Sequence, residues 1–502
     1  MRIAVLPWGD PSAWRYANYC YEFFCKEGFS TLEFLVYSKE LFPDLALVLV
    51  LDTLATRLPT QSYRSYSELV ERVREYAGRY ICGKDRVQTN VEVLPGVMGC
   101  GGKGQVEFKA DLATTRLLTL YNVYFRILDL AKCDHSGGEI KILLDTTHGI
   151  NYFSILVRES VLEAAAMVAV ALGASVKVSV FNADPLPHGV NAPARSNEDP
   201  CVPFGGGPLP RLKYNQLGEY RVYPWDLMRY FRYSSGSVDK LVSDPQGCHL
   251  DEDKLKRLLR VSKLAIASFR VGALVELAEL VKGEPDFIKS ASEMLERARK
   301  CWLLKSELKQ GDSCWYTSFT KLQDGLRLLL HAHAVFSGVG RVLATASEVE
   351  GVSLKKVLRE LMKLLKGSEV TIALVDYELS KVEATLSRKE KGGVTPLLHE
   401  WIPYSQLMRE EATPEFECDR PGAYDLKKLE RNFVAHAGFL KDALELKKLG
   451  DEDVAYRVRP GCQKVVESAL KRVFERLCSS SDKSSSRDEK KLCGSVGPAD
   501  GV

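Results

Sequence analysis

Residues 140–151 read Ile-Lys-Ile-Leu-Leu-Asp-Thr-Thr-His-Gly-Ile-Asn, and the fold is decided by how they are read. Ile140 to Leu144 is a mostly apolar run of strand formers. Asp145-Thr146-Thr147-His148-Gly149 closes that strand with turn residues, and from Asn151 to Leu172 the pattern is helical. Small residues at Ala164, Ala165, Ala166 and Ala169 suit this helix to close packing. Strand, polar turn and helix in that order form half of a parallel crossover unit.

The same alternation extends outward in both directions. Residues 2–7 predict a strand ending in Trp8-Gly9-Asp10-Pro11, and residues 45–51 a second one ending in Asp52-Thr53. Residues 66–80 have helical spacing, 87–94 read as a strand, 110–132 as a long helix and 176–181 as the last clear strand. Regular alternation predicts an α/β, Rossmann-like domain over 1–185, with a parallel sheet covered by helices on both faces. Seven prolines between Pro185 and Pro210, with Gly205-Gly206-Gly207, predict an irregular connector over 186–245. Its residues 211–233, rich in Tyr, Arg and Trp, suggest a hairpin or a short helix. Residues 246–478 are dominated by a 3.6-residue period with few strand signals, so a second, all-α domain follows. The Ser-rich stretch 479–502 is expected to be a disordered tail.

Bulk properties exclude several classes. A chain of 502 residues exceeds one ordinary core. Its longest apolar run, residues 164–174, is short of the ~18–20 residues needed to cross a bilayer, and the N-terminus reads as a strand, so a cytoplasmic chain without a membrane partner is expected. Thirteen cysteines without any C-x-x-C argue against a disulfide framework and against a zinc knuckle. Nine Asn and nine Gln are few, a pattern of proteins from hot environments. A net charge of +3 implies that any nucleic-acid contact is local.

Chemistry is concentrated in three places. In an open parallel sheet, ligands bind beyond the carboxyl ends of the strands. Trp8-Gly9-Asp10-Pro11-Ser12 is one such end, where Gly9 permits close backbone approach and Ser12 can donate. Asp145–Asn151 is the other: Thr146, Thr147, His148, Gly149 and Asn151 run into a helix whose free amides can receive phosphate. The plain alternative is that Thr147 and Asn151 only cap that helix. Gly96-Val97-Met98-Gly99-Cys100-Gly101-Gly102-Lys103-Gly104 is no P-loop, because its glycine spacing is wrong and Lys103 precedes Gly. In the helical half, Arg431-Asn432-Phe433-Val434-Ala435-His436 places Asn432 and His436 four apart on one helix face, where the amide can orient the imidazole. Arg431 is roughly 140° around from His436, so a second copy of the chain is the natural way to complete a site. A rival Arg/His set at Arg327, His331 and His333 is read as structural, and no histidine has metal-ligand spacing.

With these residues in view, Asp145-Thr146-Thr147-His148-Gly149-Ile150-Asn151 resembles the D-x-[ST]-H-G-[IV]-N motif of CRISPR-associated Rossmann-fold (CARF) sensor domains in type III systems. Trp8-Gly9-Asp10-Pro11 is similar to that family's first strand end, and Arg431 with His436 to the R-x-x-x-x-H motif of HEPN ribonuclease domains. The resemblance covers everything but the tail. It implies an allosteric activator, a cyclic oligoadenylate and most often the tetramer, bound across a homodimer or within a higher oligomer. It also implies metal-independent cleavage of single-stranded RNA without a cofactor, and no stable complex with the type III effector. His436 would transfer protons, Arg431 would offset phosphorane charge, and Asn432 would position His436 or the scissile group. The alternatives are a sensor with a binding output only, or one that also degrades its activator through Thr146, Thr147 and Ser12.

Overall fold

The computed structural model describes the chain apart from residues 59–62, 84, 100–105, 134–138, 188–189, 191, 197, 206, 208, 244–247, 311–314, 346–354, 392–399, 408–417, 419–425, 450–452 and 493–502. In the first part, strands β1 (Arg2–Trp8), β2 (Ala17–Tyr21) and β3 (Phe24–Gly28) lead to helix α1 (Thr31–Leu35). Then follow β4 (Leu45–Leu51), α2 (Tyr66–Arg79), β5 (Gln88–Leu94), β6 (Val97–Met98), β7 (Val106–Lys109), α3 (Leu112–Cys133), β8 (Ile140–Asp145), α4 (Asn151–Leu172) and β9 (Val176–Ala183). After β10 (Ala194–Arg195), β11 (Pro203–Phe204) and β12 (Arg211–Val222) the chain turns helical. Its later elements are α5 (Glu252–Val271), α6 (Leu274–Gly283), α7 (Phe287–Lys305), β13 (Glu307–Gln310), β14 (Trp315–Ser318), α8 (Asp324–Thr345), α9 (Lys355–Leu361) and α10 (Glu369–Lys391). They close with β15 (Ile402–Pro403), α11 (Tyr404–Leu407), α12 (Leu426–Ala435), β16 (Leu444–Leu449), β17 (Asp453–Val458) and α13 (Gln463–Leu492).

The expected parallel sheet is only one side of the observed one. Strands β9-β8-β1-β4-β5 are all parallel, and the unbroken apolar run of β4, buried throughout, is what a strand covered on both faces requires. Beyond β9 the sheet continues as β12-β2-β3, giving eight strands of mixed direction. The connector therefore supplies a sheet strand: β12 runs antiparallel to β9 from Tyr214 opposite Ala183 to Val222 opposite Val176. Alternation of buried Leu212 and Tyr214 with exposed Arg211 and Lys213 marks it as half-covered. The prolines upstream had masked that period-2 signal.

The helical half also carries strands. β13 and β14 pair with each other, and β14 pairs with β7, so the glycine-rich segment forms a hairpin edge joined to the second half; residues 100–104 of it lie outside the described residues. A small sheet β15-β16-β17 sits near the C-terminus. Helix α13 continues to Leu492, so part of the expected disordered tail is helical; extending an existing helix avoids the cost of nucleation. Helix α8 is long and apolar enough to cross a membrane, but its residues from Leu326 to Val339 are largely buried against α4, α5 and α7.

The cysteine reading needs correction. Cys20–Cys25, Cys82–Cys201, Cys248–Cys301 and Cys418–Cys462 are disulfides, and Cys478 is a buried thiol. Partners 119, 53 and 44 residues apart leave no sequence motif.

A buried polar knot ties the two halves together. Glu163, in the middle of α4, accepts from Arg327 Nε at 2.5 Å, His331 Nε2 at 2.9 Å and Arg116 at 3.0 Å, while Tyr233 donates to His331 Nδ1 at 2.7 Å. His333 lies between Tyr124 and Ser292. The rival Arg/His set is thus structural, as read. Burial works against the Glu163 charge, but Arg327 and His331 outweigh it and hold the carboxyl at about 2. A depressed carboxyl contributes stability above its unfolded value and loses it as pH falls through the folded one. Acid titration followed by circular dichroism should show wild-type stability falling between about pH 4.5 and 2. Glu163→Gln should flatten that window and cost ~3–5 kcal/mol at neutral pH, because Arg327 is left buried without its charge partner.

Candidate functional site

The sheet reverses its direction of growth at β1: β4 and β5 lie on one side of it, β8 and β9 on the other. Ligands of such sheets bind at that switch point, outside the carboxyl ends of the strands. There the loops after β1 and β8 meet, with Gly9 N donating to His148 O at 2.6 Å. A side chain at Gly9 would crowd that carbonyl, since a Cβ would stand 3.2 Å from it. Glycine is needed here for close approach.

Beside this contact lies a cavity of about 330 Å³, reached by Trp14, Tyr19, Thr147, His148, Asn182 and Asp184. His148 stacks on Trp14 with centroids 4.0 Å apart, and its Nε2 accepts the Thr31 N–H at 3.2 Å. Burial, reinforced by nearby Arg195, lowers His148 to about 3, so the ring is neutral with its proton on Nδ1. Asp145 is buried and its carboxyl raised by burial; it accepts Thr147 N at 2.9 Å, Thr147 Oγ1 at 2.6 Å and the Thr31 hydroxyl.

Of the residues singled out in the sequence, Thr147 and His148 line the cavity. Thr146 spends its amide and hydroxyl on Phe181 O and accepts Asn182 Nδ2 at 3.0 Å, locking the ends of β8 and β9 together. Trp8 is a core residue, packed edge-on against Trp14. Asp10 turns toward α2, where it holds Ser12, Tyr76 and Arg57. Neither Thr147 nor Asn151 caps α4: the N-cap is Ile150, without a side-chain bond, so the first amides of that helix are left for another acceptor. Gly149 and exposed Asn151 flank it. Trp14, Tyr19 and Asn182 were missed because strand pairing, not spacing, brings them here.

The second site is built at the end of α12. Glu430 anchors this helix to α13 through Arg476 at 2.7 Å and Arg472 at 3.8 Å. Ala437 (φ 46°) and Gly438 (φ 83°) then break it, with Gly438 N bonded back to Phe433 O at 2.9 Å. This left-handed exit leaves His436 just past the helix. His436 Nδ1 donates to Glu378 Oε1 at 2.8 Å, and Tyr404 donates to Glu378 Oε2 at 3.3 Å. Glu378 is 1% exposed, so the imidazole is held by a carboxylate fixed inside the protein.

Asn432 and His436 face one cavity of about 190 Å³ with Lys441 and Asp442 at its edge. Arg431 is exposed and lies outside that lining, as its angular separation from His436 predicts. Sequence reading assigned the orienting role to Asn432 and missed Glu378. A signal existed: Val375, Leu379, Val382 and Leu386 mark the buried face of α10, and Glu378 is an acid on it.

Comparison with known proteins agrees with this division. Residues 3–185 match the profile of the CARF domain of CRISPR system endoribonuclease Csx1, and residues 368–460 that of its HEPN domain. A CRISPR system endoribonuclease Csx1 from Methanocaldococcus jannaschii is 29% identical over 185 residues, which cover 37% of each chain. The two profiles take in the strand-end cavity and the set Glu378, Arg431, Asn432 and His436. The chain belongs to the CRISPR-associated CARF–HEPN family.

Proposed function

We propose that the chain is a cytoplasmic endoribonuclease that cleaves single-stranded RNA when a cyclic oligoadenylate occupies the strand-end cavity. The observation that carries this reading is His436 held through Nδ1 by buried Glu378 and lining a cavity with Asn432, Lys441 and Asp442. With Nδ1 committed, Nε2 is the atom left for proton transfer. It accepts the proton of a substrate 2′-hydroxyl as the 2′-oxygen attacks the adjacent phosphorus. The bond from phosphorus to the 5′-oxygen breaks, leaving a 2′,3′-cyclic phosphate, and the 5′-oxygen departs with a proton. One imidazole cannot both take and give a proton in one step. A second copy of the chain supplies the other histidine, and its Arg431 offsets charge on the phosphorane oxygens.

In the sensor half, the bare N-terminus of α4 and the His148 Nδ1–H offer donors to an anionic ring. The hydroxyls of Thr146 and Thr147 already have protein partners, which favours binding over activator degradation. α4 runs from that end to Glu163 and its contacts with α8, a rigid path from ligand to the second half.

The deciding experiment is cleavage of a labelled single strand by purified protein, in EDTA, with and without cyclic tetra- and hexaadenylate. Cleavage that needs one ring and survives EDTA is expected. Loss of cleavage in EDTA with recovery on adding manganese would overturn the metal-free mechanism. His148→Ala should raise the activator concentration for half-maximal cleavage by about 10–100-fold, the equivalent of one lost hydrogen bond to a charged group. Full cleavage at saturating ligand separates binding from transmission.

A further inference from the structure

We propose that the cavity beside His436 holds the base of the nucleotide whose 2′-hydroxyl attacks, and that Asp442 restricts this base to one bearing an exocyclic amino group. The inference rests on the ribonuclease reading above. The cavity encloses about 190 Å³, less than the ~300 Å³ at which pockets for drug-sized ligands begin, so it takes one ring system rather than a whole nucleotide. Leu429, Phe439, Leu440, Ala443 and Val465 are apolar walls for the faces of a flat ring, and all but Leu429 are buried. Asn432, His436, Lys441 and Asp442 supply the polar lining. His436 is held by Glu378. The Asn432 carboxamide, the Lys441 ammonium and the Asp442 carboxylate engage no hydrogen bond or ion pair among the described residues, and they are open rather than sealed beneath the surface. The backbone on either side of Asp442 is fixed: Lys441 O accepts Ser405 N at 2.7 Å, and Ala443 O accepts Arg459 N at 2.7 Å. A free carboxylate on a rigid segment is preorganised for recognition.

His436 takes the proton of the 2′-hydroxyl, so the ribose that carries it lies against His436, and its own base is the ring within reach of this cavity. An ionised carboxylate only accepts hydrogen bonds. The amino groups of adenine, cytosine and guanine can donate to it, whereas uracil sets a carbonyl oxygen on each side of its one N–H and is repelled. Asn432, relieved of orienting His436 by Glu378, supplies the complementary donor for a ring nitrogen beside the amino group. Lys441 is exposed at the rim, where an ammonium meets the phosphate backbone rather than the base. Only an unpaired base presents this edge, which accounts for a single-stranded substrate.

The test maps the cutting sites of the activated full-length protein on a single strand that contains all four bases. Wild type should cut after amino-bearing bases at least about tenfold faster than after uridine, the discrimination that one well-placed pair of hydrogen bonds provides. Asp442→Asn, whose amide can donate to a uracil carbonyl, should bring the two rates together. A second measurement needs no variant: wild type should bind a strand with 2′-deoxycytidine at the cutting position, which cannot be cleaved, more tightly than one with 2′-deoxyuridine there. Uridine cut as fast as the amino-bearing bases, equal binding of the two deoxy strands, or an unchanged preference in folded Asp442→Asn overturns the proposal and leaves the ribonuclease reading standing. No cleavage after any base by wild type overturns the ribonuclease reading, and this subsite with it.

Discussion

His436→Ala should reduce RNA cleavage by about 10³-fold or more, and Glu378→Gln by about 10²–10³-fold, with activator binding unchanged in both. The first removes the proton-transfer group. The second keeps the shape of the site but replaces a buried acceptor-only carboxylate by an amide that can turn either its oxygen or its NH2 to Nδ1, so the Nδ1–H tautomer is no longer the only one held. A positioning role predicts that kcat falls while KM for RNA stays, and that nitrogen NMR of the His436 ring shows mixed tautomers. Glu378→Asp should recover part of the rate. Tyr404→Phe removes only the weaker bond to the same carboxylate and should cost far less. Undiminished cleavage by folded His436→Ala would move the chemistry elsewhere. It could not move to Arg327 and His333, which are committed to Glu163, Tyr124 and Ser292.

Opening the Cys82–Cys201 disulfide should destabilise the sensor half by ~3–5 kcal/mol. The bond joins residues 119 apart, and in the chain-entropy view a loop of that size gives up about 5 kcal/mol of unfolded-state freedom. Its position predicts a functional effect as well. The segment it clamps is laced to the loop after β1: Tyr16 N donates to Pro193 O, and Arg195 Nε to Pro11 O at 3.0 Å. The Arg195 guanidinium lies over Phe29 at 4.2 Å, beneath the loop that carries Trp14. Cys82→Ser should therefore lower the melting temperature and weaken activator binding together. Equal melting of Cys82→Ser and wild type without reductant would show that this bond does not form in solution.

Local signals carried much of this protein. The apolar run at Leu45–Leu51 and the mostly apolar Ile140–Leu144 became the strands on either side of β1, because strands covered on both faces need a largely apolar sequence. The Asp145–Asn151 turn and the Arg431–His436 spacing located both candidate sites, since strand ends and helix faces are local properties of the chain. Partners distant in sequence were illegible. Glu378 meets His436 across 58 residues, Thr31 meets His148 across 117, and Cys82 meets Cys201 across 119. β12 joined the sheet because β9 left an open edge and its half-apolar face fitted there, which no window of its own sequence reveals. Sequence by itself determined the central parallel strands, most of the long helices and which loops carry polar chemistry, through spacing and propensity. Tertiary structure alone decided which acid holds the histidine and which hydroxyls are already spent, because burial and hydrogen-bond satisfaction exist only once the chain has closed on itself.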